Sequence, residues 1–259
     1  MIRSRNNPKL KEIKKLQKSS KTRNEKKAFV VEGPKMVFEV PEGQMLECFV
    51  GESFFKKNKN RIKEAGFPYE LVSDDVFAIL TDTKTPQGIL GVIKQPEYLL
   101  EELWGGKEQK TLLLLLESIQ DPGNLGTIFR TAEAADVTGI MMNSKCADIY
   151  SPKTIRATMG AVYRLPFMMA SEFEETLVKV RALGVKLVAT HPKATKNYGE
   201  ENYQEPVGFI IGNESVGLSE SSLHFAKEWV KIPMKGQAES LNAAIAAGIL
   251  IYEANRQRG

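Results

Sequence analysis

Residues 111–135 of this 259-residue chain read TLLLLLESIQDPGNLGTIFRTAEAA. The five consecutive leucines predict a strand that is buried on both faces. Pro122, Gly123 and Asn124 then supply a tight turn and the cap of a helix over residues 125–135. A strand that leads through such a turn into a helix is the unit from which parallel α/β sheets are built. This stretch therefore predicts the fold class of the carboxyl-terminal part of the chain.

Strands and helices continue to alternate after this unit. Apolar strands are predicted over residues 139–142, 164–168, 186–189, 207–211 and 229–232, with helices over residues 152–158, 172–183 and 241–255. Because the strands are apolar throughout, we expect a mostly parallel sheet that is covered on both faces. Residues 111–259 form one predicted domain.

The amino-terminal part predicts a separate, smaller α/β domain over residues 1–95. Leu10, Ile13 and Leu16 recur at three-residue spacings on a short helix. Strands are predicted over residues 29–31, 48–50, 69–72 and 89–93, with helices beginning at residues 34, 58 and 74. Residues 96–110 are expected to link the two domains.

Composition narrows the classes of function. With two cysteines and two histidines, neither a disulfide framework nor a cysteine-based zinc site is expected, and no metal is predicted. The longest apolar runs fall far short of the roughly 20 residues that span a bilayer. The basic amino terminus runs into more charge rather than into the apolar core of a signal peptide. We therefore expect a cytoplasmic protein with no membrane partner.

The net charge of +4 is unevenly distributed. Residues 1–40 hold twelve lysines and arginines against four acidic residues, whereas the rest of the chain carries a net charge of −4. A cationic segment on a mildly acidic body is typical of an arm that binds nucleic acid, since each phosphate contact releases counterions. A basic helix that serves only solubility is the alternative. The candidate phosphate-binding residues are Arg5, Lys14, Lys15, Lys18 and Arg23.

Two further stretches place polar residues directly after predicted strands, where open α/β sheets bind ligands. One reads GFIIGNESVGL over residues 208–218, where Gly212 allows a ligand close to the backbone and Glu214 can bind a donor or a cation. The other reads IPMKGQAESLNAAIAAG over residues 232–248, where Ser240 is a candidate N-cap. An ordinary polar turn and an ordinary buried helix are the alternatives.

Motifs of the commoner catalytic classes are absent from the sequence. It contains no Gly-x-Gly-x-x-Gly after a strand, no Walker A motif and no Gly-x-Ser-x-Gly. His191, just past a predicted strand, is a weak candidate for a general base. A dinucleotide site, a P-loop and a serine nucleophile are therefore not supported.

Three stretches, in this order and spacing, resemble the motifs of the SpoU (TrmH-type) family of RNA ribose 2′-O-methyltransferases in the SPOUT superfamily. They are residues 121–130, residues 211–218 and residues 232–242. The resemblance covers about residues 111–255. The amino-terminal part is similar to the small RNA-binding substrate domain that precedes the methyltransferase domain in many members.

The resemblance implies a deep trefoil knot, S-adenosylmethionine as the cofactor, and a homodimer. It implies a reaction centre formed by Asn124, Arg130, Glu214, Ser240 and Asn242. It also implies a cofactor pocket formed by Thr190, Gly212, Ile232 and Leu241. Ala243 and Ala244 depart from the family, where many members have a valine and a serine, which argues against a hydroxyl group acting there.

The implied reaction is S-adenosylmethionine-dependent 2′-O-ribose methylation of RNA. The separate amino-terminal domain favours a large structured target such as 23S rRNA. The alternatives are the same chemistry on tRNA and a non-catalytic RNA-binding protein on the same fold. Because a guanidinium stays protonated at neutral pH, it is a poor general base. We therefore expect Arg130 to stabilise the developing alkoxide electrostatically.

Overall fold

A computed structural model describes residues 1–81, 85–105, 110–213 and 215–259. The strands are β1 (Ala28–Glu32), β2 (Met45–Gly51), β3 (Glu70–Val72), β4 (Ile89–Lys94), β5 (Leu112–Leu116), β6 (Gly139–Asn143), β7 (Phe167–Ala170), β8 (Lys186–Thr190), β9 (Lys196–Asn197), β10 (Val207–Ile211) and β11 (Glu228–Lys231). The α-helices are α1 (Pro8–Lys18), α2 (Ser20–Lys26), α3 (Pro34–Phe38), α4 (Glu52–Glu64), α5 (Asp74–Leu80), α6 (Pro122–Ala134), α7 (Pro152–Thr158), α8 (Phe173–Ala182), α9 (Glu220–Phe225) and α10 (Ala243–Arg258). Short 3₁₀ turns lie at Leu100–Trp104, Ala161–Tyr163 and Tyr198–Glu200.

The chain divides into two compact units, and their boundaries differ from those predicted. The first comprises Met1–Pro96 with Tyr150–Tyr163, and the second comprises Glu97–Ile149 with Arg164–Gly259. Helix α7 therefore belongs to the first unit, although the sequence prediction placed it in the carboxyl-terminal domain.

Specific packing interactions explain both differences. The ring of Tyr150 lies 4.8 Å from the ring of Phe29, and the Tyr163 hydroxyl donates to the carbonyl of Met36 at 3.1 Å. In the predicted linker, Leu103 is fully buried in the same cluster as Leu113. Residues 97–105 of the predicted linker thus belong to the second unit, and residues 106–109 lie outside the described residues.

The first unit is built on a four-stranded sheet in the order β1-β4-β2-β3. Strand β4 is antiparallel to β1 and β2, while β3 is parallel to β2. Helix α1 buries Leu10, Ile13 and Leu16, as their spacing predicts. Helix α4 begins at Glu52, before the predicted start, because non-helical dihedral angles at Asn58 interrupt its periodicity.

The second unit contains a seven-stranded sheet in the order β7-β6-β5-β10-β8-β11-β9. Every described pairing in this sheet is parallel. Strands β5 and β10 have the predicted bounds, and all of their residues are buried. The predicted α/β class and mostly parallel sheet are confirmed, and the trefoil knot stays a prediction. Strand β7 lies slightly later than predicted.

Helices α6 and α10 lie side by side and run in the same direction. Near their carboxyl ends, the Asn255 side-chain amide donates to the carbonyl of Ala135 at 2.7 Å.

Within the described residues, none of the helices has the length and apolar character that are needed to cross a membrane.

Candidate active site

Three neighbouring strands of the second sheet end at one cavity of about 330 Å³. Strands β8, β10 and β11 run parallel, so their carboxyl ends lie at the same edge of the sheet. Thr190 ends β8, Gly212 follows β10 and Ile232 follows β11, while Leu241 lies just before α10. The structure thus brings together all four residues of the cofactor pocket that the resemblance implies.

The lining of this cavity combines apolar side chains with a few polar groups. Ile211, Leu218, Val230 and Met234 contribute apolar surface, and Thr190 is among the polar residues. Such a mixture suits an organic ligand that has both an apolar ring system and a polar tail. Among the residues that the structure describes, no cluster of His, Cys, Asp and Glu could hold a metal ion.

The loop after β10 folds back on itself, and glycine is required at position 212. A Cβ atom there would lie 2.6 Å from the carbonyl carbon and oxygen of Gly217, and 2.8 Å from the backbone nitrogen of Leu218. The fold-back is closed by the backbone N–H of Gly217, which donates to the carbonyl of Asn213 at 2.9 Å. Glu214, the predicted catalytic acid of this loop, lies outside the described residues.

Asn213 ties this loop to the loop that follows β5. Its side-chain amide donates to the carbonyl of Ser118 at 3.0 Å, and its side-chain oxygen accepts from the backbone N–H of Ser215 at 2.9 Å. On the other side, the side-chain oxygen of Asn143 accepts from the backbone N–H of Ser118 at 3.0 Å. These contacts hold Ser118 in a left-handed conformation, with φ of 58°.

Sequence reasoning missed Asn143, Asn213 and Cys146 as positioning residues. The Cys146 thiol donates to the carbonyl of Leu116 at 3.4 Å, and burial raises the pKa of this thiol. Asn143 and Asn213 both stand at the carboxyl ends of apolar strands. A polar residue at the end of an apolar strand is the signal that could have identified both.

The amino-terminal ends of α6 and α10 meet through two predicted catalytic residues. The side-chain amide of Asn242 donates to the side-chain oxygen of Asn124 at 2.8 Å. The side-chain oxygen of Asn242 accepts from the backbone N–H groups of Ala244 and Ile245 at 2.9 and 3.3 Å. Asn242 therefore caps α10 while its amide reaches the first motif.

Both predicted N-caps were wrong. Asn242, and not Ser240, caps α10, which begins at Ala243. Helix α6 begins at Pro122 and is capped by Asp121, whose carboxylate accepts from the backbone N–H of Asn124 at 2.8 Å. The prediction failed because both helix starts were misplaced by two or three residues.

The remaining predicted catalytic residues are not all in one place. Ser240 lines the cavity and is exposed. Arg130 is exposed on α6 and is not among the residues that line the cavity. It makes no hydrogen bond or ion pair with any residue that the structure describes.

Two polar residues outside the predicted reaction centre and cofactor pocket also line the cavity. Glu239 lines the cavity next to Ser240. His191 lines it too, with its ring 5.1 Å from that of Trp229, and its Nδ1 accepts from the backbone N–H of Lys193 at 3.2 Å. This hydrogen bond assigns the proton of a neutral ring to Nε2.

The predicted RNA-binding residues divide into exposed and buried side chains. Arg5, Lys15 and Lys18 are exposed and Lys14 is partly exposed. Arg23 is buried, and its guanidinium donates to the carbonyls of Leu16 and Gln17 at the end of α1. Arg23 is therefore removed from the phosphate-binding set, because its donors are used inside the protein.

Comparison with known families identifies the two parts of the chain. Residues 111–252 match the SpoU rRNA Methylase family, and residues 7–91 match the MRM3-like substrate binding domain. The first match covers more than half of the chain and includes all three motifs of the candidate site.

Three similar proteins extend over almost the whole chain. It is 34% identical over 254 residues to the 23S rRNA (guanosine(2553)-2′-O)-methyltransferase RlmP of Bacillus subtilis, covering 97% of each chain. The AdoMet-bound rRNA methyltransferase from Sinorhizobium meliloti superposes with a TM-score of 0.85 at 32% identity, covering 98% of this chain and 97% of that one.

The third is the SpoU methyltransferase AviRb from Streptomyces viridochromogenes, crystallised with AdoMet. It superposes with a TM-score of 0.87 at 26% identity, covering 97% of this chain and 98% of that one. Residues 111–252 match the family model, and a relative of 34% identity covers 97% of the chain. The chain therefore belongs to the SpoU rRNA methylase family.

Proposed function

We propose that this protein is an S-adenosylmethionine-dependent RNA methyltransferase that methylates a ribose 2′-oxygen of 23S rRNA. The single observation that carries the proposal is the cavity at the ends of β8, β10 and β11. Its lining contains the four residues that the motifs assign to the cofactor. The relatives support the proposal, since RlmP is named a 23S rRNA 2′-O-methyltransferase and two structural neighbours contain AdoMet.

The cavity residues fit this cofactor. Ile211, Leu218 and Val230 provide apolar walls for an adenine ring, and the backbone around Gly212 can be approached closely because a Cβ is absent. We assign Thr190, Gly212, Ile232 and Leu241 to cofactor binding. When bound, S-adenosylmethionine supplies a methyl group that is activated by a positively charged sulfonium.

The residues of the chain then have to position a ribose hydroxyl in line with that methyl group. We assign this task to Asn124 and Asn242, whose hydrogen bond fixes both side chains at the start of their helices. Ser240, on the cavity wall, supplies a further hydroxyl for the ribose or the cofactor. Glu214 is assigned the orientation of Arg130 or Asn124.

Arg130 is assigned an electrostatic role. Its guanidinium has no partner among the described residues, so its donors are available to a bound RNA. Fixed positive charge near the ribose 2′-oxygen stabilises the negative charge that develops as the proton is lost. The same fork of N–H groups can bind the adjacent phosphate.

The first unit is assigned to RNA binding. Its match to a substrate binding domain spans residues 7–91, which include helix α1. Arg5, Lys14, Lys15 and Lys18 are the proposed phosphate contacts, without Arg23. A cytoplasmic location follows from the proposed rRNA substrate.

We also propose that the protein is a homodimer through the exposed side of α6 and α10. Ile245 and Tyr252 lie seven residues apart on α10, and each leaves more than half of its surface exposed. Helix α10 otherwise buries small and apolar residues against the second unit. Sedimentation velocity checks this proposal: a dimer should become a monomer in Ile245→Glu, and a monomeric unmodified protein would contradict it.

Two measurements test the function, one on the purified protein and one on cellular RNA. Calorimetry should show binding of S-adenosylmethionine, and 2′-O-methylated positions should be mapped in total RNA from cells with and without the gene. We expect one ribose methylation in 23S rRNA to depend on the gene. A lost methylation in tRNA would identify the alternative substrate, and binding of RNA without cofactor would indicate a non-catalytic RNA-binding protein.

A further inference from the structure

Helix α4 carries a strong positive charge. Counting the charged residues of the surrounding region does not reveal it. Between residues 41 and 95, seven basic residues are offset by eight acidic ones. Five of the seven basic residues lie on α4, which holds only two acidic residues, and all five are exposed. They are Lys56, Lys57, Lys59, Arg61 and Lys63. The local charge of this helix is therefore strongly positive, although its region is close to neutral.

Most of this charge is not neutralised within the protein. Lys57, Lys59 and Lys63 form no ion pair with any other residue in the described part of the chain. Lys56 lies 3.4 Å from Glu52 in an exposed pair, which contributes little. The Arg61 guanidinium lies over the ring of Phe38, 4.1 Å from its centroid, and this contact leaves its charge in place.

The amino-terminal segment, in contrast, uses much of its charge internally. Lys9 forms ion pairs with Glu47 and Glu70, and Lys26 lies 2.8 Å from Glu12. Arg23 is buried. Lys9 lies on α1 and the other two lie on α2, so the amino-terminal segment offers a partner fewer available basic side chains than its residue count indicates.

The two basic helices of the first unit do not share one buried cluster. Helices α1 and α5 pack on a buried cluster that includes Val30, Phe49 and Leu90. Ile62, the buried residue of α4, lies outside that cluster, and Arg61 places α4 beside α3. Because successive strand residues point to opposite faces, the first sheet has a second face, and we infer that α4 packs there.

Buried and aromatic side chains hold helix α4 in place. Ile62 is almost completely buried, and the ring of Phe55 lies 5.5 Å from that of Tyr69. At the bend, the Asn58 side-chain amide donates to the carbonyl of Phe54 at 3.0 Å. The backbone of α4 is therefore held in place by packing, while its exposed lysine side chains are available to a polyanion.

We propose that α4 is a second RNA-phosphate-binding surface, separate from α1. The RNA substrate contacts both faces of the first sheet, and Lys57, Lys59 and Lys63 contribute sequence-independent phosphate contacts. This inference rests on the proposed function insofar as the polyanion is RNA. Helix α4 then contributes part of the RNA-binding energy. From residue counts, this energy was expected to come from residues 1–40 alone.

The test is a charge reversal on α4 with a matched control. One variant carries Lys57→Glu, Lys59→Glu and Lys63→Glu. The control carries Lys179→Glu, Arg181→Glu and Lys227→Glu, three exposed residues of the second unit with the same change in net charge. Binding to an in vitro 23S rRNA transcript is measured at several KCl concentrations, and S-adenosylmethionine binding is measured by calorimetry.

We expect the α4 variant to bind the transcript at least tenfold more weakly, and the slope of log affinity against log salt to fall by roughly two. The control should change affinity less than threefold, and cofactor affinity should be unchanged in both. Equal RNA binding by the α4 variant and the control overturns the inference. If the unmodified protein binds the transcript but transfers no methyl group, the proposed function fails while the comparison on α4 still stands.

A milder variant protects the test against misfolding. Replacing the same three lysines with glutamine removes the charge without reversing it, and should give a smaller loss of affinity in the same direction. Unchanged thermal unfolding of this variant together with unchanged RNA affinity overturns the inference.

Discussion

The side-chain amide of Asn242 donates to the side-chain oxygen of Asn124 at 2.8 Å, although 118 residues separate them along the chain. The same Asn242 side chain caps α10 through its oxygen. One residue thus performs two tasks: it stabilises a helix start and it fixes the position of a predicted catalytic residue. Substitutions that separate these two tasks reveal which of them matters for the reaction.

The Asn242→Ser variant keeps a capping oxygen but lacks the amide that reaches Asn124. We expect its unfolding free energy to stay within about 0.5 kcal/mol of the unmodified protein, since serine is a good N-cap. Methyl transfer to 23S rRNA should fall at least tenfold. Asn242→Ala, the comparison variant, should also lose about 1 kcal/mol of stability. Full activity of Asn242→Ser would remove the contact with Asn124 from the mechanism.

Gly212→Ala should weaken cofactor binding. A Cβ at position 212 would meet the backbone of Gly217 at 2.6 Å, so the loop that borders the cavity has to move. We expect calorimetry to show at least a tenfold increase in the dissociation constant of S-adenosylmethionine. Gly199→Ala is the control, because a Cβ there meets no atom closer than Glu253 Oε1 at 3.8 Å. Equal affinities of the two variants would contradict the prediction.

Arg130→Ala should reduce the rate of methyl transfer and leave cofactor binding unchanged. Arg130 is exposed and does not line the cavity, so its removal disturbs no packing around the cofactor. Loss of a charge-stabilising donor typically costs about a hundredfold or more in rate. Single-turnover rates with saturating RNA measure the effect, and Arg181→Ala on α8 is the control. A rate near that of the unmodified protein would exclude Arg130 from the reaction.

Arg23→Ala should destabilise the first unit rather than weaken RNA binding directly. The buried guanidinium satisfies the carbonyls of Leu16 and Gln17, which its loss leaves without these donors. We expect a decrease of about 2–3 kcal/mol in unfolding free energy. Lys15→Ala, on the exposed side of α1, should show the reverse: unchanged stability and a lower salt slope for RNA binding. If folded Arg23→Ala showed a lower salt slope for RNA binding, Arg23 would have to be counted among the phosphate contacts again.

Stability should depend on the Glu201 carboxylate in acid. Burial raises the pKa of Glu201, but hydrogen bonds from Lys196 and Lys186 outweigh it and lower the pKa from 4.5 to about 2. The folded-state pKa is below that of the unfolded chain, so this stabilisation is present above pH 4.5 and is lost as the pH falls toward 2.

Acid unfolding of Glu201→Gln tests this linkage. The variant should lose roughly 1–3 kcal/mol at pH 7, and its stability should fall less steeply between pH 4.5 and 2 than that of the unmodified protein. Glu174→Gln, at an exposed position on α8, should retain the full acid dependence. Identical pH profiles for Glu201→Gln and the unmodified protein would contradict the assignment.

Local sequence predicted most of the secondary structure and the edge of the sheet where the cavity lies. Five leucines in a row form a strand with the predicted bounds, because a run that is apolar on both faces is stable only inside a covered sheet. The resemblance to the SpoU family grouped Thr190, Gly212 and Ile232, and the structure brings them together because each lies at the end of a parallel strand, whose carboxyl ends share one edge. The strand and the sheet edge needed only periodicity and the direction of the strands, whereas the assignment of these residues to a cofactor needed the resemblance.

The positions of caps and the availability of charge were predicted less well. Asn242 was placed in the reaction centre, but its hydrogen bonds to α10 and to Asn124 were not anticipated. Arg23 was counted as available charge because a residue count carries no information on burial. For the same reason, the acidic residues that surround α4 in the sequence concealed the charge of that helix.

Local sequence was enough to predict the α/β class, the succession of strands along the chain, and the bounds of β5 and β10. Only the tertiary structure decided that α7 packs with the first unit through Tyr150 and Phe29, that Asn124 meets Asn242, and that Arg23 is internal. The physical reason is the distance along the chain over which each interaction acts. Periodicity and capping act within a few residues, whereas these three outcomes depend on which surfaces the folded chain brings together.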